Sequence, residues 1–393
     1  MDKLIFFSDF AANHTNRGCQ ALNYGSFHFL NRVLGLNKVT IISPGFYYRR
    51  KRRDQNHQIQ LSDRKVEVIT RFYWAPEIVF TSLLYRFFGD KIGFGKFYRD
   101  ICKLDYILNV SGGDGFSDIY STKTFRHLFW PSFIATLLNK KLVLLPQTIG
   151  PFYRRRNRIL AEYAIRKAEK VYVRDLVYAE RLKTLGVSYT LTNDVSYYMK
   201  PQRVNIDIED SAIGLNISGL AYYNKYKDLK GRFPHYKELI NKIIEFFQEK
   251  SITVYLVPHT YNHETPEINA DDLQASKDTY NSLKNKTGVK LIDADYIAPE
   301  LKYIISKFDF FIGTRLHANF AAIYSHVPVF GLAYSYKFSG SFNRYGLNDN
   351  YSSVVDMTKE NLSDILLKIE KCYIARDDTK IKIVDILNRL DKV

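Results

Sequence analysis

Tyr106-Ile107-Leu108-Asn109-Val110 runs into Ser111-Gly112-Gly113-Asp114-Gly115-Phe116-Ser117-Asp118, and after an amphipathic stretch over 125–139 comes Leu142-Val143-Leu144-Leu145-Pro146. Each apolar run is the length of a strand. The periodic segment between them is the length of a helix, and glycines mark the first turn. Strand, helix and strand in this order form a βαβ unit, whose two strands lie parallel in one sheet.

The same alternation extends in both directions. In the first half, strands are expected at 4–7, 39–43, 106–110, 142–146 and 171–174. Helices are expected at 20–34, 125–139, 158–168 and 177–185, the last stopped by Gly186. Residues 200–210 are polar, contain Pro201 and lack a period, so they read as a linker. Beyond it strands are expected at 212–217, 253–258, 289–293, 308–312 and 327–332. Helices are expected at 236–249, 271–286, 299–307 and 362–373. The expected fold is therefore α/β: two doubly wound, Rossmann-like domains, 1–200 and 211–393, facing a central cleft. A chain of 393 residues suits two domains, because single cores stop growing near about 250–300 residues.

Between 47 and 99 the alternation breaks. This insert holds Arg49-Arg50-Lys51-Arg52-Arg53, then Phe72-Tyr73-Trp74, then Phe87-Phe88. One reading is a solvated basic loop and an ordinary buried helix. The other is a segment that touches an anionic membrane surface, since basic and aromatic residues together suit that interface. No recognised nucleic-acid motif accompanies the charge, so no nucleic-acid partner is expected.

Composition narrows the class. Apolar residues make up 46 % and charged residues 25 %, which is enough to bury a core and excludes a disordered chain. The 57 Lys and Arg against 41 Asp and Glu leave a net charge of +16, which points to an anionic partner. The cysteines Cys19, Cys102 and Cys372 are far apart and odd in number, so neither a disulfide framework nor a zinc site is expected. No secretory signal and no run of about 20 apolar residues is visible. The expected location is the cytoplasm, with peripheral attachment at the inner face of the membrane as an extension.

In open α/β sheets, ligands bind beyond the C-terminal ends of the strands, and the unusual residues sit there. Gly112 and Gly113 let the backbone approach a ligand and expose N–H groups. Asp114 and Asp118 are candidates for orienting sugar hydroxyls or acting as a base, with helix capping in a tight strand-to-helix turn as the alternative for Asp118. Asn16 follows the first strand. Arg174 ends the fifth beside Asp175, either as a substrate contact or within an ion pair. Phe308–Ile312 leads into Gly313-Thr314-Arg315-Leu316-His317-Ala318-Asn319 and a helix of small residues. A helix N-terminus attracts anions, Arg315 adds a planar fork for phosphate or carboxylate, and His317 exchanges protons near neutral pH. Lys337 follows the next strand. His259 closes the strand at 253–258; its spacing to His263 matches a helical metal pair, but the local texture is loop and no third ligand is evident, so no metal is expected.

These stretches, taken in order, resemble the polysaccharide pyruvyl transferase family. The resemblance is carried by 111–118, 145–151, 173–175, Asn193-Asp194, 214–217 and 314–319, and runs from Asn16 to Lys337. It implies a fold like that of B-type glycosyltransferases, with the donor bound in the C-terminal domain. It implies transfer of pyruvate from phosphoenolpyruvate to a sugar of a surface polysaccharide, or of its polyprenyl-phosphate-linked precursor, with ketal formation and release of phosphate. No cofactor beyond the donor substrate is implied. By motif, Arg174, Arg315, His317 and Lys337 fall on positions for donor binding or catalysis. His317 is then the candidate acid and Asp114 the candidate base. Cys19, Asp114, Tyr178 and Ala179 depart from the family pattern. The competing readings are a glycosyltransferase with a nucleotide-sugar donor and a catalytically silent scaffold of polysaccharide assembly.

Overall fold

The computed structural model describes residues 3–8, 10, 14–36, 39–61, 65–226, 229–335 and 337–391. The chain divides into two compact units. The first contains Leu22–Met199 together with the N-terminal strand; the second contains His14–Ala21 and Lys200–Lys392.

Among the described residues the first unit is built on eight strands: β1 (Lys3–Ser8), β2 (Val39–Tyr47), β3 (Gln55–Gln60), β4 (Lys65–Trp74), β5 (Leu104–Asn109), β6 (Lys141–Gln147), β7 (Lys170–Val173) and β8 (Thr190–Leu191). Their order is β3-β4-β2-β1-β5-β6-β7-β8. Every pairing is parallel except β3 with β4. The central strands are apolar without alternation because both faces are covered. Phe6, Ile42, Ile107, Leu142 and Leu144 join one core, while Ile5, Phe7, Ile41, Leu108 and Val143 join the other.

The second unit is built on β9 (Ile213–Asn216), β10 (Val254–Leu256), β11 (Val289–Leu291), β12 (Phe310–Gly313), β13 (Val329–Ala333) and β14 (Tyr351–Ser353). The order is β11-β10-β9-β12-β13-β14, parallel throughout. The helix Tyr236–Glu249 lays Leu239, Ile240, Ile243, Ile244 and Phe247 onto Ile213, Leu215, Val254 and Leu256. Both units are thus doubly wound α/β. Winding reverses direction between β1 and β5 in one sheet and between β9 and β12 in the other, and such reversals open a crevice at the C-terminal strand ends.

The insert departs from the sequence reading. It is no interruption of the sheet: β2 continues to Tyr47, and β4 pairs with it from Thr40↔Glu67 to Tyr47↔Trp74. The start of β4 alternates as a strand with one covered face does, burying Val66 and Val68 while Lys65 and Glu67 are exposed. Nor is the following helix, Ala75–Phe88, an ordinary buried one, since its buried residues are Ile78, Thr81 and Ser82. Among the described residues no helix is long and apolar enough to cross a membrane.

Candidate functional site

In the second unit the strand ends around the β9/β12 reversal are stitched together by two side chains. Asn216 closes β9. Its amide oxygen accepts from the Arg315 backbone N–H at 2.8 Å, its amide nitrogen donates to the Val257 carbonyl at 2.9 Å, and its own carbonyl accepts from the Thr314 hydroxyl at 3.1 Å. Asp272 opens the helix Asp272–Ser282 and is fully buried. Its carboxylate accepts from the backbone N–H groups of Gly219, His259 and Thr260 at 2.9, 3.2 and 3.0 Å. It also receives Arg315, whose Nη2 lies 2.7 Å from Oδ1 and whose Nε lies 3.2 Å from each oxygen. One carboxylate so ties the loops after β9, β10 and β12 to one helix start.

Arg315 stands at the N-cap of the helix Leu316–Ile323 and also donates to the Ala270 carbonyl at 3.0 Å. Burial works against its charge, but Asp272 outweighs burial and raises its pKa above the usual value, so it is held as a cation. His317 lies in the first turn of that helix, edge-on to Phe320 with ring centroids 5.6 Å apart. Beside it, Asn16, Arg17 and Gly18 run alongside Thr260: Asn16 and Thr260 form an antiparallel bridge, and the Arg17 N–H donates to the His259 carbonyl at 3.0 Å. Gly18 permits the close approach, because a Cβ there would lie 2.8 Å from the His317 Nδ1. Arg17 is held by the Thr15, Tyr261 and Tyr296 carbonyls and by Asp295, with its guanidinium 3.8 Å above the Tyr261 ring. His259 is buried. Burial first, then His317, Arg315 and Arg17, push its pKa well below the ordinary histidine value and keep it neutral.

In the first unit the β1/β5 reversal has its own polar cluster. Ser111, Gly112 and Gly113 take φ values of 41°, 59° and 88°, a left-handed run that reverses the chain after β5. At Gly113 a Cβ would also meet the Arg174 Nη1 at 2.9 Å. Arg174 is buried. It donates to Asp194 at 2.7 Å and to the Thr148 hydroxyl at 3.0 Å, and the Thr148 hydroxyl in turn donates to Asp175. Burial opposes its charge, but Asp194, Asp114 and Asp175 together raise its pKa. Asp114 accepts from the Tyr120 hydroxyl at 2.8 Å. The Asp118 carboxylate accepts from the Tyr153 and Arg154 N–H groups and from Asn157, at 2.7, 3.0 and 2.9 Å. Against the effect of burial, these donors lower its pKa. Asp118 therefore ties down the loop before the helix Arg155–Lys167, while the helix that follows Asp118 in sequence, Thr122–Leu137, is capped by the Ser121 hydroxyl, which accepts from the Thr124 N–H at 3.0 Å.

The residues singled out from the sequence thus fall into two groups. Gly112, Gly113, Asp114, Asp118 and Arg174 gather in the first unit. Asn16, Arg315, His317 and His259 gather in the second, where Lys337 opens the helix Lys337–Arg344 at the end of β13. His263 is exposed while His259 is buried, and among the described residues no three acidic, histidine or cysteine side chains are grouped to hold a metal. Sequence reasoning missed Asp272 and Asn216, and noted Arg17 only as part of the Asn16-Arg17-Gly18 loop. Their signal, a polar residue at a strand or helix end, is shared with ordinary caps; only the fold shows that these converge.

A model of the family described as polysaccharide pyruvyl transferase matches residues 16–336. The amylovoran biosynthesis protein AmsJ of Erwinia amylovora is 20 % identical over 273 residues, covering 66 % of this chain and 64 % of AmsJ, so the match spans less than two thirds of that relative's length. Among solved structures, a Listeria monocytogenes protein described as a UDP-N-acetylglucosamine 2-epimerase superposes with a TM-score of 0.56 at 12 % identity, covering 99 % of this chain and 92 % of that one. The UDP-GlcNAc 2-epimerase of Neisseria meningitidis, bound to UDP-GlcNAc, gives 0.51 at 12 % identity over 99 % and 100 %. At such identities the likeness is one of fold.

Proposed function

The chain belongs to the polysaccharide pyruvyl transferase family, and from that premise we propose that it transfers pyruvate from phosphoenolpyruvate to two hydroxyls of one sugar, in a surface polysaccharide or its lipid-linked precursor. The observation that carries this reading is the meeting of Arg315 and His317 on one helix start at the β9/β12 reversal. The donor has a carboxylate and a phosphate on adjacent atoms. It calls for a cation, a helix N-terminus and a proton source in close company. Arg315 and the helix start supply the first two, and Lys337 at the neighbouring strand end adds a second cation.

The reaction begins with a proton from His317 to the methylene carbon of the donor. The adjacent carbon becomes cationic and is attacked by one sugar hydroxyl, which loses its proton to a base. The carbon–oxygen bond to phosphate breaks, and the second hydroxyl adds to the same carbon and closes the ketal. Of the two hydroxyl protons, one is matched by the new methyl hydrogen and the other leaves with phosphate. No cofactor is required in this scheme. Holding the donor and both hydroxyls together supplies much of the remaining acceleration.

The donor and a polyprenyl-phosphate-linked sugar place the reaction in the cytoplasm, at the inner face of the membrane. Turnover in heavy water tests the scheme. One deuterium should enter the ketal methyl group; a methyl group without solvent deuterium would rule out protonation at carbon.

A further inference from the structure

The helix Ala75–Phe88 is turned inside out. Val79, Phe80, Leu83 and Phe87 recur at helical spacing along one face and are 61, 51, 56 and 77 % exposed. The opposite face buries Ile78 with two hydroxyl residues, Thr81 and Ser82, and the Ser82 hydroxyl is satisfied by the Ile78 carbonyl at 2.6 Å. The apolar stripe continues into Phe94, 68 % exposed, whose ring lies 5.8 Å from that of Phe80. A stripe of this kind is an interaction surface.

Its neighbour is cationic. Trp74, which precedes the helix, donates its indole N–H to the Tyr48 carbonyl at 3.1 Å, so the helix begins beside the exposed run Arg49 to Arg53. There a cavity of about 680 Å³ is lined by Tyr47, Tyr48, Arg50, Lys51, Arg52 and His127. The acid next in sequence, Asp54, is engaged by Lys96 at 2.6 Å and by Arg71 at 3.6 Å, which leaves the run its positive character.

From this pairing we infer that the segment docks the protein on an anionic phospholipid bilayer, with Val79, Phe80, Leu83 and Phe87 in the acyl boundary and a headgroup phosphate in the basic cavity. An apolar helix face bordered by a basic patch fits that occupant, because hydrocarbon takes the stripe and anionic headgroups take the charge. A protein partner for the stripe leaves the cavity unexplained. The inference extends the lipid-linked acceptor of the proposed function by naming the surface that reaches it, but its test needs no substrate.

The full chain is sedimented with vesicles of phosphatidylcholine alone and of equal parts phosphatidylcholine and phosphatidylglycerol, at low and high salt. The wild type should bind the mixed vesicles at low salt, with its tryptophan emission shifted to the blue. The triple variant Phe80→Ser, Leu83→Ser, Phe87→Ser should lose binding to the mixed vesicles. The triple variant Arg50→Gln, Lys51→Gln, Arg52→Gln should lose the preference for anionic vesicles by about tenfold or more. All six side chains lie at the surface, so thermal unfolding should be unchanged, and so should turnover on a soluble glycoside. Wild-type protein that ignores vesicles, or an apolar variant that binds as wild type does, overturns the inference. So does a wild-type dimer that the apolar variant splits without any vesicle binding, since the stripe is then a self-association face.

Discussion

Gly18 lies against the imidazole of His317: a Cβ at position 18 would sit 2.8 Å from Nδ1 and 2.9 Å from Cγ. Real Cβ atoms do not come so close, so a side chain at position 18 must turn the ring aside. Gly18→Ala should therefore lower turnover by about 10–100-fold, the scale of a small misplacement of a reacting group, while thermal stability changes little. In the His317→Ala background the same substitution should add almost nothing. Additive losses in that double-mutant cycle would mean that Gly18 acts by some route other than the ring.

Arg315 has two duties to separate. Arg315→Ala leaves Asp272 buried beside an empty place and should cost about 3–5 kcal/mol of stability, read by urea unfolding. Arg315→Lys keeps a cation for Asp272 but loses the planar fork. It should unfold closer to wild type yet bind phosphoenolpyruvate poorly in calorimetry. A lysine variant with normal donor affinity would place the donor's anions elsewhere.

His259 sets a sign for the pH dependence. Its folded pKa is depressed by burial and by His317, Arg315 and Arg17. In the unfolded chain it takes up a proton near pH 6.5. Below that pH the unfolded state binds a proton that the folded state does not, so stability is present above about pH 6.5 and falls as the solution is acidified, by about 1.4 kcal/mol per pH unit for this group. His259→Gln should flatten the decline of melting temperature between pH 6.5 and 5. An unchanged slope would show that other groups control acid unfolding.

Arg174 and Asp194 are 7 % and 1 % exposed and 2.7 Å apart. Arg174→Ala should destabilise the protein by about 3–5 kcal/mol, and adding Asp194→Asn should restore part of that loss by removing the stranded charge. If Arg174→Ala unfolds as wild type does and only weakens substrate binding, the buried pair is not what holds the loop after β5.

The apolar strands were legible because a parallel strand covered on both faces has nothing polar to interrupt it: 106–110 and 142–146 reappear as β5 and β6 within one or two residues. β3 was not legible, since Gln55–Gln60 is an edge strand with only Ile59 buried. β4 alternates only over Lys65–Val68 and then loses the pattern, a run too short to separate a strand from a loop by period alone. The loops of the candidate site were legible as polar or glycine-rich strand ends. Which ends meet was not, because that is decided by where the winding reverses. Asp272 reads as one more acid at a helix start until Arg315, 43 residues on, is seen to bind it. Gly18 and His317 share no local signal at all.

The central claim is the reaction itself. The protein is incubated with phosphoenolpyruvate or with a nucleotide sugar, against a panel of nitrophenyl and lipid-linked glycosides, with free phosphate and product mass followed together. The account predicts one phosphate released per glycoside that gains the mass of pyruvate less water, with phosphoenolpyruvate as the only productive donor and His317→Ala nearly silent. A glycoside extended by a sugar from the nucleotide donor, with phosphoenolpyruvate left intact, would contradict it.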